Sequence, residues 1–247
     1  MRAHLMVFLE QGDQGALHKF RVQIKKLKAM LIFFQSTSKQ HSLMKYFKPV
    51  KKIFKQAGQI RDAYMNLQLS ERYKLKNEAF ELSQKKTIED GIGLFRQNGK
   101  KFTKTIKKAH NKLAKQLSKI DNDSIADYYE QQLQQISVNL AVSGFTDDMH
   151  TNRKLIKILV YNHKLADKAL NGSLNFNTEY LDKLQDNIGK WHDNIVAEQL
   201  FSSPELNDKP VVTKIKKINA NVERKIRSIA NDFLHKATTR EKELVLN

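Results

Sequence analysis

The sequence predicts an all-α fold, for three reasons. Only 3 prolines and 9 glycines interrupt the 247 residues, and residues that favour helices dominate the rest. No segment shows the alternation of apolar and polar residues that marks a half-buried strand. Between residues 17 and 34 the apolar positions recur at steps of 3 and 4, along one side of a helix; they are Leu17, Phe20, Ile24, Leu27 and Leu31.

The other helices follow from similar patterns and from the residues that separate them. The last long segment repeats the apolar stripe with Ile215, Val222, Ile226, Ile229 and Phe233. Clusters of Gly, Pro, Ser, Asn and Asp predict breaks in residues 12–15, 36–42, 91–99, 121–124, 143–148, 171–177 and 202–210. The pieces between them are predicted as helices of about 10 to 30 residues, and the charged block 74–90 as a mobile helix or a loop.

The composition excludes several kinds of protein. Without cysteine the chain has no disulfide, no thiolate nucleophile and no cysteine-based zinc site. No stretch approaches the roughly 18 apolar residues that a transmembrane helix needs. Residues 1–10 lack the basic stretch and the small-residue cleavage site of a signal peptide, so we expect a short helix there and a cytoplasmic protein.

The charge indicates an anionic partner. The 44 Lys and Arg residues outnumber the 26 Asp and Glu residues and leave a formal net charge of +18. Such a surface repels itself and attracts anions from a distance, although solubility alone is the alternative explanation. Nucleic acid, acidic lipid and phosphate polymers are all anionic, and the net charge alone does not choose between them. A membrane partner is not expected, because the apolar stripes are needed inside the fold.

Two short patterns occur twice, in the same order and at nearly the same offset. The first, His-x-x-Arg-x-x-x-Lys, occupies residues 18–25 and returns 132 residues later at 150–157. The second, Gly-x-x-(Arg or His)-Asp, occupies residues 58–62 and returns 131 residues later at 189–193. We therefore predict two similar helical bundles in tandem, formed by about residues 1–121 and 122–247.

The first pattern belongs to a row of basic side chains opposite the apolar stripe. The row follows steps of 3, 4 and 3 over about 15 Å of helix at roughly 1.5 Å per residue, and consists of His18, Arg21, Lys25 and Lys28. No Asp or Glu between residues 16 and 34 is available to pair with it at helical spacing. The second half repeats the row with His150, Arg153 and Lys157.

Further basic rows occur elsewhere, and the predicted binding residues include members of each. They comprise Lys51, Lys52 and Lys55 ahead of Gly58, then Lys101, Lys104 and Lys108, and finally Lys217 and Arg224 near the chain end. Any one of these rows is also explained as a solvated helix face. That explanation is weaker for the rows of His18 and His150, whose charge has one sign and whose spacing recurs.

Inorganic polyphosphate suits rows of this kind. Each internal phosphate carries about one negative charge, and without bases or sugars the polymer needs only donors along a groove. Arg21 and Arg153 are suited to grip two oxygens each, while lysine supplies a movable point charge. Beside an anion, His18 and His150 should have raised pKa values and should donate as well. Sulfate or phosphate should act as mimics, and binding should weaken steeply with salt.

The repeated patterns together resemble the CHAD family, the conserved-histidine α-helical domains. Residues 17–28 and 58–62 carry the resemblance in the first half, and residues 149–161 and 184–193 carry it in the second. The resemblance implies one domain over residues 1–247, made of two four-helix bundles related by a pseudo-twofold axis around a basic central cavity. It also implies polyphosphate binding without a cofactor, often on polyphosphate granules.

Transferred by position, the resemblance assigns residues to that cavity. They are His18, Arg21, Lys25, Lys28, Arg61, His150, Arg153 and Lys157, with Lys51, Lys52, Lys55 and Lys183 as neighbours. The chain departs from the family pattern twice. The paired arginines of the family are Lys25-Lys26 and Lys157-Ile158 here, and His192 replaces the second arginine of the Arg-Asp pair. Both departures imply a weaker second half or a looser grip on the polymer.

Three alternatives were weighed against polyphosphate. A metal site would require His18 and His150 to meet amid cations, which we do not expect. Catalysis would need a base or carboxylates for magnesium, whereas Asp62 and Asp193 are predicted to pair with Arg or His or to cap a helix, so no enzyme is expected. RNA or DNA is the main rival, although the aromatic residues, including Trp191, fall mostly on apolar stripes.

Overall fold

A computed structural model describes residues 1–38, 43–117, 120–142 and 144–239. These residues form nine α-helices and no strand, which confirms the predicted all-α class. The helices are α1 (Arg2–Gln11), α2 (Gln14–Thr37), α3 (Leu43–Tyr73), α4 (Glu78–Ala114), α5 (Asn122–Val142), α6 (Asp147–Ala169), α7 (Thr178–Phe201), α8 (Lys209–Ala230) and α9 (Phe233–Thr238). Within the described ranges no helix combines the length and the apolar character needed to cross a bilayer.

The chain divides into two compact units. The first contains Met1–Gln35 and Gln40–Ser118, and the second contains Ser36–Lys39 and Lys119–Asn247. Helices α1–α4 belong to the first unit, apart from the last two residues of α2, and α5–α9 belong to the second, so that each has four principal helices and the second adds the short α9. The division into repeats near residue 121 and the pseudo-twofold axis between them stay predictions.

Apolar side chains from all four helices fill the core of the first unit. The stripe predicted on α2 is confirmed, since Leu27 packs partly buried and the other four positions are fully buried. Phe95 of α4 meets Phe8 of α1 edge to face, with ring centroids 5.5 Å apart, and the centroid of the Phe102 ring, on the same helix, lies 5.0 Å from that of Phe95. Burial of this stripe leaves the basic side of α2 facing away from the core.

One predicted break is wrong, because α4 runs through residues 91–99 without interruption. The glycines there allow close packing between helices. A Cβ on Gly91 would lie 2.4 Å from Cγ1 of Ile60, and a Cβ on Gly99 would lie 2.8 Å from Cδ1 of Leu9. Glycine was interpreted as a helix breaker, whereas its lack of a side chain is what these contacts require.

The charged block 74–90 is a loop only at its beginning. Helix α3 ends at Tyr73 and α4 starts at Glu78, so most of the block is helical. The side chain of Asn77 caps α4 by accepting a hydrogen bond from the Phe80 amide at 2.9 Å. Each of the other predicted breaks contains or adjoins a helix boundary, although several overlap the first or last residues of a helix; residues 39–42 and 143 fall outside the described residues.

The second unit is built around Tyr129 of α5. Its buried hydroxyl donates to the Leu159 carbonyl of α6 at 2.9 Å, and its ring lies 5.3 Å from that of Phe176. The apolar stripe predicted at the end of the chain is divided between two helices. Helix α8 ends at Ala230, and Asp232, with a left-handed φ of 53°, turns the chain before Phe233 enters the core from α9.

Candidate functional site

Arg21 is the most firmly held of the predicted binding residues in the first unit. Its Nη1 donates to the Phe54 carbonyl of α3 at 2.9 Å, and its guanidinium carbon lies 4.3 Å from the centre of the Phe54 ring. One turn later, a Cβ on Gly58 would lie 3.0 Å from Nη1. The half-buried guanidinium therefore occupies the space that the absent side chain of Gly58 leaves open.

The electrostatic surroundings of Arg21 involve both repeated patterns. Burial lowers the pKa of Arg21, the charge of Asp62 raises it, and the charge of Arg61 lowers it. Arginine stays charged at neutral pH in spite of such shifts. Asp62 thus lies within electrostatic reach of Arg21, in agreement with its predicted part as the partner of a neighbouring cation.

His18 lies among these cations, and its pKa moves opposite to the direction expected beside an anion. Burial lowers the pKa of His18 from 6.5, and the charges of Arg61, Lys25 and Arg21 lower it further. The expected rise presupposed a bound anion. In the free protein, burial and the positive neighbours both disfavour the charged form of the imidazole.

Arg153 repeats the anchor of Arg21 within the second unit. Its Nε donates to the Gln185 carbonyl of α7 at 3.0 Å. A Cβ on Gly189 would lie 2.8 Å from Nη2 and 3.0 Å from Nε. In both units the accepting carbonyl therefore lies four residues before the glycine that the guanidinium covers.

This shared anchor explains why the two sequence patterns recur together. The arginine of the first pattern crosses to the next helix and lies over the glycine of the second pattern, once in each unit. Neither Arg21 nor Arg153 forms an ion pair with a carboxylate of the described residues. The anchors are neutral backbone acceptors, so these hydrogen bonds do not themselves neutralise the charge of either guanidinium.

Lys157 has acceptors of its own. Its Nζ donates to Oε1 of Gln185 at 3.1 Å, and Nε2 of Gln185 in turn donates to Asp186 at 2.6 Å. Burial and Arg153 lower the pKa of Lys157, whereas Asp186 and Asp182 raise it. Sequence reasoning missed Gln185 and both carboxylates. The signal for Gln185 was its spacing from Gly189, which equals that of Phe54 from Gly58.

The departure at His192 has a direct structural consequence. The ring of His192 stacks on that of His150, with centroids 4.1 Å apart and planes inclined by 24°. His192 corresponds in the repeated pattern to Arg61, which acts on His18 in the first unit. The second unit therefore has two titratable rings where the first has a ring beside a permanent cation.

The other predicted residues are exposed on their helices. Lys25 and Lys28 lie on α2, Lys51, Lys52 and Lys55 on α3, Lys183 on α7, and Lys217 and Arg224 on α8. Nη2 of Arg224 donates to the side chain of Asn221. Their part in binding stays a prediction.

The lysines of α4 form an exposed row of their own, which we call the α4 lysine row. Lys101, Lys104 and Lys108 lie opposite the buried Phe102 and Ile106. A depression of about 450 Å³ at the end of the helix is lined by Lys104, Lys107, Lys108, Asn111, Lys112 and Lys115. Sequence reasoning missed Lys107, Lys112 and Lys115, although residues 99–117 contain no acid. For this row, too, a part in binding stays a prediction.

The described ranges offer little for a metal, since no three His, Asp or Glu side chains come together there. The two anchored arginines, each with cationic neighbours, are instead suited to oxyanions, which accept several hydrogen bonds at once.

Comparison with known families identifies the chain. A family model described as the CHAD domain matches residues 1–202, which extend from α1 through α7 and include both repeated patterns. Comparison with the curated proteins and with the solved structures gave no significant match. The matched residues are well over half of the chain and contain every residue of the two anchors. The chain therefore belongs to the CHAD domain family.

Proposed function

We propose that the protein binds inorganic polyphosphate through the cationic side chains around Arg21 and Arg153. The proposal rests on the shared anchor, in which each guanidinium is fixed to a carbonyl of the following helix. A guanidinium has five N–H donors, and the anchor uses one of them. Each arginine is thus ordered before a ligand arrives, so less side-chain entropy is lost on binding.

The neighbours of Arg21 favour a ligand that carries charge along its length. Arg61, Lys25 and Arg21 all act electrostatically on His18, and their charges have the same sign. A chain of phosphates would relieve this repulsion and supply oxygens to each donor in turn. The exposed lysines of α2 and α3 add movable cations that tolerate variation in the path of the polymer.

We propose binding, and not catalysis, as the role of this site. The residues repeated at the anchors are donors, cations and glycines, and the one repeated acid of each unit, Asp62 or Asp193, is predicted to pair with a cation or to cap a helix. Hydrolysis of a phosphoanhydride needs a positioned base, or carboxylates that hold magnesium. Sulfate and orthophosphate, which present the same oxygens without the polymer, should act as weak mimics.

Nucleic acid is the alternative ligand, and the aromatic residues argue against it. Single-stranded nucleic acid is held by stacking of bases on exposed rings. Trp191 is only 4% exposed and donates its indole N–H to Glu223 at 3.2 Å. The Phe54 ring packs under Arg21. These rings are engaged within the fold, which supports a ligand without bases.

A competition experiment tests the proposal. Labelled polyphosphate of uniform length is bound to the protein, and binding is followed by fluorescence polarisation at fixed ionic strength. Unlabelled polyphosphate, RNA and DNA of equal total charge then compete. We expect polyphosphate to compete at the lowest concentration, whereas stronger competition by RNA would show that the alternative is correct.

A charge-matched pair of double variants tests the location of the site. Arg21→Ala with Arg153→Ala removes two positive charges, as does Lys74→Ala with Lys76→Ala in the exposed loop before α4. Because each arginine contributes charge-assisted hydrogen bonds, we expect a loss of affinity of at least about 100-fold for the first pair. The lysine pair should lose about threefold or less. Equal losses would mean that binding follows total charge and that no defined site exists.

We further propose that the protein lies in the cytoplasm, on polyphosphate granules. A fluorescent fusion of the parent chain should then overlap with stained granules, and the double arginine variant should be diffuse. A diffuse parent chain in cells that contain granules would contradict this location.

A further inference from the structure

We infer that Gly58 and Gly189 are positioning residues, which set the edge that each arginine presents to the anion. The inference rests on the proposed function and adds to it a determinant outside the charged residues. Both glycines lie within long helices and are buried, although glycine destabilises a helix interior relative to alanine. A cost accepted at the equivalent position of both units calls for a physical explanation.

The explanation is the volume of the guanidinium. A Cβ on Gly58 would lie 3.0 Å from Nη1 of Arg21, the atom that donates to Phe54. A Cβ on Gly189 would contact three guanidinium atoms of Arg153, with Nη2, Nε and Cζ at 2.8, 3.0 and 3.1 Å. Either methyl group would lie too close to the guanidinium, which would have to shift away from the helix and so lengthen the anchor.

Gly93 of α4 provides the contrast. It also lies within a long helix, but a Cβ there would meet no atom within 4 Å. Gly93 therefore shows what a helical glycine without a packing requirement looks like, and it serves as the matched control.

The two anchors leave different edges of the guanidinium available. Arg21 donates through Nη1, which leaves the edge formed by Nε and Nη2. Arg153 donates through Nε, which leaves the edge formed by Nη1 and Nη2. Either edge has two parallel N–H groups, the arrangement that grips two oxygens of one phosphate. A glycine that holds the guanidinium flat thus preserves the two-oxygen grip as well as the charge.

The binding test compares Gly58→Ala and Gly189→Ala with Gly93→Ala. Each of the first two variants keeps every charge, so a loss of polyphosphate affinity must come from the position of the arginine. We expect a loss of about 10- to 100-fold for each, the effect of misplacing charge-assisted hydrogen bonds, and no change for Gly93→Ala. Affinities equal to that of Gly93→Ala would overturn the inference while leaving polyphosphate binding intact.

Double variants separate positioning from a general effect on folding. If Gly58 acts through Arg21, then Gly58→Ala should cost nothing further in an Arg21→Ala background. Losses that multiply would overturn the inference. Should Gly189→Ala not fold alone, the double variant with Arg153→Ala removes the clash. Recovery of folding would support the inference, and continued failure to fold would overturn it.

A measurement without ligand keeps this inference distinct from the proposed function. Nε–H of Arg153 is bonded to a carbonyl, so its NMR signal should exchange slowly with water in the parent chain. We expect fast exchange in Gly189→Ala and slow exchange in Gly93→Ala. Slow exchange in all three would overturn the inference. If the parent chain bound no polyphosphate, the proposed function would fail, and this signal would still report on the position of Arg153.

Discussion

The pH dependence of binding offers a sharp test of the His18 environment. Without ligand, burial and the charges of Arg61, Lys25 and Arg21 lower the pKa of His18 from 6.5. A polyanion beside the ring would offset these positive charges and raise the pKa. Binding then takes up a proton as the pH falls, so the parent chain should bind polyphosphate more tightly in acid. In His18→Gln the part of this gain that comes from His18 should be lost, since the amide keeps a donor without titrating.

The size of the effect follows from the number of protons and from exposure. Uptake of one proton changes affinity by at most about tenfold per pH unit. Because the His18 ring is exposed, solvent screens its interactions. Between pH 7.5 and 5.5 we therefore expect the parent chain to gain about three- to tenfold over His18→Gln. Internal phosphates of the polymer stay ionised throughout this range, so titration of the ligand adds no comparable pH dependence to the binding affinity.

Fluorescence polarisation at constant ionic strength measures both proteins at pH 7.5, 6.5 and 5.5. His235→Gln is the matched control, because His235 is exposed on α9 and is not among the predicted binding residues. The stability of the folded protein without ligand should depend on pH in the opposite direction to the binding affinity. Because the pKa of His18 is lowered in the folded state, the free energy of unfolding decreases as the pH falls through 6.5, and His18→Gln should reduce that decrease. Superimposable binding profiles for the parent and His18→Gln would refute a contact between His18 and the anion.

Two further predictions concern stability. Gly91→Ala should destabilise the chain by about 1 kcal/mol or more, because its Cβ would lie 2.4 Å from Cγ1 of Ile60, whereas Gly93→Ala should stabilise it by about 0.5–1 kcal/mol. Urea denaturation measures both, and equal effects would mean that Gly91 does not pack against α3. Tyr129→Phe should cost about 0.5–1.5 kcal/mol by removing the hydrogen bond that the buried hydroxyl donates to the Leu159 carbonyl at 2.9 Å. A thermal midpoint unchanged from that of the parent chain would contradict this role of the hydroxyl.

Local patterns predicted the helices well wherever an apolar stripe met a buried surface. The stripe of α2 is the clearest case, because its five positions at steps of 3 and 4 all turn toward the core. The same reasoning failed at Gly91 and Gly99. A glycine in a helix is unfavourable when only its own segment is considered, but here Ile60 and Leu9 fill the space from elsewhere in the unit.

At the candidate site, too, the sequence predicted some features and missed others. Repetition of His18 and Arg21 as His150 and Arg153 identified the two arginines that are anchored. The acceptors were not predictable, since Phe54 and Gln185 contribute backbone carbonyls, which any residue would supply. The direction of the His18 pKa shift was also missed, because it depends first on burial of the ring and then on Arg61, which is 43 residues away in the chain.

By itself, the sequence determined that the chain is helical, that two patterns repeat, and that basic side chains without acidic partners dominate one side of α2. Periodicity and charge are properties of neighbouring residues, and a helix converts them directly into faces. Only the tertiary structure decided that Arg21 and Arg153 bind carbonyls of the next helix over Gly58 and Gly189. That arrangement joins residues more than 30 positions apart, and packing between helices brings them together, which no local pattern encodes.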